Sequence, residues 1–243
     1  MSAPLTLENR FWRVEFDAES GALTLTDRAG GAVWKSPHPF HFNYGNFYNY
    51  DIAAHCRMQA ETGGKTITIR FDHFDWWARY PGNSYRKPDP GPELEFGFAI
   101  ELDGETARFR TAAVTGIDAE PCSVTFPDNL IQWECSETAS LAIPCGFGSL
   151  FEFPRRDAFE FRYGFCNDHN GMPFYGVMRR DSGGIGVIIG DPFDQYTEFG
   201  WSTRQPGRAF CRTTWEFNRK FANYPRELRL RAFAPGDGYL ELA

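Results

Sequence analysis

The chain has 243 residues, 42% of them hydrophobic and 17% aromatic, which supports a large core and excludes wholesale disorder. Its 25 Lys and Arg against 32 Asp and Glu leave a formal charge of −7. That balance argues against a nucleic-acid partner and gives no support for an anionic membrane surface, and no run of about 18 apolar residues offers a transmembrane helix.

The opening decapeptide, Met-Ser-Ala-Pro-Leu-Thr-Leu-Glu-Asn-Arg10, has neither a charged n-region nor an apolar h-region. No secretory signal is expected there, and the expected location is cytoplasmic. From this point the apolar residues recur with a period of two. Trp12, Val14 and Phe16 alternate with Arg13 and Glu15. Turns at Glu19-Ser-Gly21 and Asp27-Arg-Ala-Gly-Gly31 flank a second alternating set, Leu23 and Leu25, and lead on to Val33. This predicts a meander of short antiparallel strands.

Ile67, Ile69 and Phe71 repeat the pattern, and Leu94, Phe96, Phe98, Ile100 and Leu102 give its clearest case, with Glu93, Glu95 and Glu101 on the opposite face. Asp103-Gly104 signals a hairpin that returns through residues 106–114. Further strands are predicted at Ile185–Ile189, over 209–217, and through Leu228, Leu230 and Ala232. No interior window of useful length keeps a helical stripe, so helices should be few and short. Many short strands with one solvated face predict an all-β antiparallel sandwich in a single domain over residues 1–234.

At the C-terminus, Asp237 stands where a helix N-cap would, followed by Tyr239, Leu240 and Leu242 on one face. Residues 235–243 therefore read as the start of a helix leading into a domain beyond this chain.

Three irregular segments interrupt the strands. They are Ser36–Tyr50, Asp72–Tyr85 and Asn167–Tyr175, all mixing aromatic residues with Asn and His. Sugars present C–H faces to aromatic rings and hydroxyls to Asn, Asp, His and Arg, so such loops suit a saccharide surface. The same aromatics could instead seal the ends of a sandwich core. The candidate substrate-binding residues are Trp76, Trp77, Arg79 and Tyr80, with Asn170 and Phe174 as a second group.

The histidines His38, His41, His55, His73 and His169 show no zinc-ligand spacing, and no Gly-rich phosphate fingerprint occurs, so neither metal nor cofactor is expected. Asp168, Asp191, Asp194 and Glu198 fall in loop-like contexts, where carboxylates more often cap backbone N–H groups than catalyse. The six cysteines include no C-x-x-C pair and read as reduced, buried thiols.

Several segments together resemble a known family. The opening hairpin Leu7–Asp27 is similar to the first hairpin of galactose-mutarotase-like supersandwich domains. Met172–Val177 and Gly184–Asp194 resemble later strands of such domains, and Gly236–Ala243 resembles the junction to a catalytic barrel.

The resemblance implies a β-supersandwich placed before the catalytic barrel of a glycoside hydrolase. It further implies that acid and nucleophile lie on that absent domain, so no catalytic residue is assigned here. The sandwich would support the barrel and lend a wall to the glycan site. His38-Pro-Phe-His-Phe-Asn43 resembles the first histidine motif of stand-alone mutarotases, without a matching downstream His and Glu. The alternatives are a sugar mutarotase or epimerase using His41 or His169, and a free carbohydrate-binding module.

Overall fold

A computed structural model describes residues 3–38, 40–44, 47–49, 56–74, 78–79, 85–86, 93–116, 122–143, 148–164, 173–190, 195–201, 207–217 and 226–235. The described residues form strands and turns, with no helix among them. The N-terminal strands are β1 (Leu5–Glu8), β2 (Trp12–Phe16), β3 (Leu23–Asp27) and β4 (Val33–Ser36). Next come β5 (His41–Tyr44), β6 (Phe47–Asn49), β7 (Arg57–Gly63), β8 (Thr66–Asp72), β9 (Ala78–Arg79) and β10 (Tyr85–Arg86). The middle of the chain gives β11 (Glu95–Asp103), β12 (Thr106–Thr115), β13 (Cys122–Thr125), β14 (Ile131–Glu134), β15 (Ala139–Ile143) and β16 (Ser149–Glu152). The last are β17 (Phe159–Gly164), β18 (Phe174–Arg179), β19 (Gly183–Ile189), β20 (Gln195–Trp201), β21 (Arg208–Phe217) and β22 (Glu227–Phe233).

They build a four-stranded sheet, β1-β2-β3-β4, and two nine-stranded sheets. One large sheet runs β10-β9-β6-β5-β13-β21-β20-β17, with β14 also paired to β21. The other runs β16-β15-β18-β19-β22-β12-β11-β8-β7. This is the antiparallel sandwich that the period-two pattern predicts.

The expected strands appear where alternation is clearest. In β11, Phe96, Phe98 and Ile100 are fully buried, while Glu95 and Glu101 stay on the outer face. The β11–β12 hairpin closes at Asp103 and Thr106, and Gly104 supplies the positive φ (57°) that so tight a turn requires.

Phenylalanine joins the two large sheets. Phe98 stacks on Phe126 at 4.1 Å, Phe40 meets Phe71 at 4.5 Å, and Phe42 meets Phe96 at 5.4 Å. Tyr175 sets its edge against Phe199 at 5.2 Å. Each such ring pair adds about 0.5–1.5 kcal/mol beyond the area it buries. The small sheet adds Trp12, Val14, Phe16, Leu25 and Trp34 to the same continuous core, and Trp12 Nε1 donates to the Glu105 carbonyl at 2.8 Å.

The segments expected to be irregular contain strand residues, and Asn167–Tyr175 includes the first two residues of β18. Ser36–Tyr50 holds β5 and β6, and Asp72–Tyr85 holds β9 and the first residue of β10. In β5 the alternation is present but brief, with Phe42 buried in the core and His41 half-buried on the other side. The expected helix start lies almost wholly outside the described residues, which end at Pro235.

Candidate functional site

The outer face of the first large sheet carries a cluster of polar side chains set by strand register. His41 pairs with Thr125, Thr125 with Thr214, and Thr214 with Tyr196. One pair further along β21, Arg212 stands opposite Glu198. Their neighbours Cys211, Thr213 and Trp215 point the other way, into the core. Thr125 and Thr214 are each only 3% exposed, and their hydroxyls bond at 2.6 Å. Arg212 Nε donates to Glu198 Oε2 at 2.6 Å, and its guanidinium lies 5.3 Å from the Phe210 ring. The Glu198 side chain is 12% exposed and that of Arg212 32%, so the pair is half-sheltered rather than solvated.

The turn between β13 and β14 brings a further carboxyl to this cluster. Thr125 pairs with Thr214 and Ile131 with Cys211, so residues 126–130 loop out opposite Arg212 and Thr213. Asn129 takes a left-handed φ of 50° that makes the turn possible. Asp128 is 6% exposed. Its carbonyl accepts from the Ser36 hydroxyl, and its Oδ2 accepts from Asn129 Nδ2 at 3.0 Å. Its Oδ1 is buried without a hydrogen-bond partner.

Burial and charge tune these groups. Burial holds the His41 imidazole below its ordinary value, and the neighbouring Arg212 adds to the effect. Burial pushes the Asp128 carboxyl up, against the opposing pull of Arg212 and His38. Burial works against the Arg212 charge, but the hydrogen bond and charge of Glu198 prevail and hold its pKa above the usual range. The result is a sheltered surface of donors and acceptors around the Arg212–Glu198 ion pair, chemically suited to hydroxyl-rich ligands.

The outer face of the other large sheet is different. Arg57 holds Asp72 through two bonds of 2.7 and 2.8 Å, and His73 Nδ1 lies 2.8 Å from the same carboxylate. Arg70 reaches Asp72 at 3.2 Å and Glu95 at 2.7 Å. Farther along, Arg108 and Arg229 both meet Glu227. The Arg57 hydrogen bond, with that of His73, holds the Asp72 carboxyl at about 2. A separate groove of about 450 Å³ lies between Thr6–Phe11 and the turns at Gly64-Lys65 and Gly104. There Asn9 Nδ2 bonds the Gly104 carbonyl at 2.8 Å, so the groove marks a structural joint.

Of the residues expected to bind substrate, Trp76, Trp77, Tyr80 and Asn170 lie outside the described residues. Arg79 is in β9, on the sheet that carries the polar cluster, paired with Tyr85. Phe174 opens β18 on the other large sheet, half-buried and opposite Ile188. Glu198, expected in a loop, lies mid-strand in β20 and bonds Arg212 instead of capping a turn. Arg212, Asp128, Thr125 and Thr214 were not among the sequence candidates. His41, which the sequence offers as an acid–base alternative, does join the cluster, whereas His169 lies outside the described residues.

No protein-family model and no curated protein sequence matches the chain. Solved structures do. The α-N-acetylgalactosaminidase NagBb of Bifidobacterium bifidum, in its GalNAc complex, matches with a TM-score of 0.66 at 13% identity, covering 96% of this chain. The chain spans only 36% of the length of that enzyme. A putative aldose 1-epimerase of Escherichia coli K12 matches with a TM-score of 0.56 at 8% identity, over 95% of this chain and 98% of that one. An α-mannosidase of Enterococcus faecalis matches with a TM-score of 0.52 at 11% identity, over 95% of this chain and 29% of that one. The chain therefore has the galactose-mutarotase-like β-sandwich fold, which these sugar-active enzymes share.

Proposed function

We propose that this chain is a non-catalytic β-sandwich domain of a carbohydrate-active enzyme, a glycoside hydrolase, whose catalytic domain lies elsewhere in the parent protein. In this reading the sandwich supports that domain, and the polar face of β5, β13, β21 and β20 forms a wall of the glycan site. The observation that carries the proposal is the half-sheltered row His41, Thr125, Thr214, Arg212 and Glu198 on an otherwise solvent-facing side of a sheet. NagBb supports it too, because there the matching fold makes up about a third of a longer glycosidase.

Glycoside hydrolysis needs two carboxyl groups available across the scissile bond. Of the two carboxyl groups in this cluster, Glu198 is already engaged by Arg212 and Asp128 is buried in its turn, which favours a contact role over bond cleavage. Calorimetric titration with N-acetylgalactosamine, galactose and mannose tests the proposal. Binding of at least one sugar, without hydrolysis of the corresponding nitrophenyl glycosides, is the expected result. No heat with any of them contradicts it.

One observation favours a second reading. The putative aldose 1-epimerase is matched over nearly its whole length, and His41 shares a face with Glu198. An imidazole kept neutral by burial is fit to take a proton from a sugar hydroxyl. Polarimetry of freshly dissolved galactose and glucose separates the two readings. Faster mutarotation favours the epimerase, and an unchanged rate favours the contact domain.

A further inference from the structure

Phe210 stands on the same outer face as the polar cluster. It is two residues from Arg212 along β21 and is paired with Gly200 on β20. Its ring reaches across the sheet towards β20. A Cβ built on Gly200 would come within 2.7 Å of two ring atoms, Cε1 and Cζ. The backbone does not demand glycine there, because Gly200 lies mid-strand and its φ is outside the left-handed region. Space for the ring does. Glycine inside a strand leaves the backbone bare, and a ring laid over it restores the cover.

Cover alone could come from any apolar side chain. The neighbours of this ring point further. The Arg212 guanidinium lies 5.3 Å from the ring centre, and Arg212 gives Nε to Glu198, which leaves it other N–H donors. On β14, Gln132 stands opposite Phe210 and is held by Arg208 and the Lys35 carbonyl. The ring is half-buried, so part of it meets solvent between these two polar groups.

Resting on the saccharide reading above, we propose that Phe210 is the stacking platform of the glycan site. The C–H face of one sugar ring packs on the exposed part of the Phe210 ring, and hydroxyls at the rim of that sugar reach Arg212 and Glu198. A pyranose has C–H groups on its faces and hydroxyls around its edge, so two positions on one strand, 210 and 212, meet both. The Arg212–Glu198 pair carries no net charge, which suits a neutral sugar. Gly200 is a positioning residue: its missing side chain lets the ring lie along the sheet.

The test uses the whole chain and whichever of N-acetylgalactosamine, galactose and mannose it binds best. Isotope-filtered NOE spectra of the wild type read contact between the Phe210 ring protons and the bound sugar. Calorimetry compares the wild type with Phe210→Leu, which keeps an apolar cover over Gly200 but removes the flat π face. Thermal melts verify that the variant is folded at the titration temperature. The expected result is NOEs from the Phe210 ring to sugar C–H protons and about tenfold weaker binding by Phe210→Leu.

A bound sugar without NOEs to Phe210 overturns the inference, even if Phe210→Leu binds more weakly, because the ring then only covers Gly200. Equal affinity in wild type and Phe210→Leu overturns it as well. Both results leave the saccharide reading standing. Should Phe210→Leu fail to fold, Phe210→Met is measured against the same outcomes. A wild-type chain that binds no sugar overturns the saccharide reading, and this inference with it.

Discussion

The two large sheets turn opposite kinds of outer face away from the core they share. On β7, β8, β11, β12 and β22, charge is closed on itself: Arg57, Asp72, Arg70 and Glu95 form a cross-strand chain, and Arg108, Glu227 and Arg229 form another. The arginines there are 28–49% exposed, so water screens them. On β5, β13, β20 and β21 the polar groups are fewer and more sheltered, and Asp128 leaves an acceptor unused. A face that satisfies its own charges is a solvated surface. A face that shelters polar groups around an ion pair is what the proposed glycan-contact role requires.

This contrast can be broken experimentally, starting from the largest expected effect. Arg212→Ala leaves the half-buried Glu198 without its partner and should lower stability by about 2–3 kcal/mol, as for a sheltered charge-assisted hydrogen bond. Chemical denaturation measures that, and the same variant should bind sugar at least tenfold more weakly.

Asp72→Ala on the opposite face removes the acceptor of several charge-assisted bonds and should cost about 1–2 kcal/mol, with sugar binding unaffected. Its acid sensitivity has a definite sign. The folded-state pKa of Asp72, about 2, lies below the ordinary value of 3.8, so its stabilisation is complete above that ordinary value and is lost as pH falls towards about 2. Denaturation midpoints of wild type and Asp72→Ala should converge across that interval.

Asp128 has the reverse sign. Its folded-state pKa is raised, so the unfolded chain ionises first and wild type loses stability relative to Asp128→Asn as pH rises above 3.8. Melting temperatures of the two proteins between pH 3.5 and 7 check this.

The smallest effect belongs to Glu101→Gln. Its partner Arg110 is 3.9 Å away and 46% exposed, and the change should stay within about 0.5 kcal/mol. A larger loss would show that the charged face contributes more than a solvated ladder can.

Thiol labelling gives a separate check on the core. Cys122 and Cys211 are buried free thiols whose pKa burial pushes up, and Cys56 is pushed up to about 12. All three should resist alkylation at pH 8 until the protein unfolds.

The sandwich was legible because β2, β3, β8, β11 and β22 place apolar residues inward and polar ones outward, the arrangement that alternation detects. β20 escaped for a physical reason. Its inward residues include Gln195 and Thr197, buried polar groups, and Thr197 bonds Thr213 across the adjacent strand. With polar residues inside, Tyr196 and Glu198 outside raise no contrast, and Glu198 looks like part of the preceding Asp191-Pro-Phe-Asp194 loop. Asp128 was equally hidden, because only the register of β13 and β14 on β21 brings the turn to Arg212. His41 was visible as a residue type, but its neighbours Glu198 and Arg212 are more than 150 positions away in the chain. The resemblance to galactose-mutarotase-like domains identified the fold without locating this cluster.

Mapping sugar-induced amide shifts by NMR in the wild-type chain tests the central claim most directly. The account predicts that the residues shifting most on addition of a binding sugar gather at His41, Thr125, Asp128, Tyr196, Glu198, Arg212 and Thr214. Shifts confined to the charged strands β7, β8 and β11, or to the groove beside Asn9 and Gly104, would contradict it.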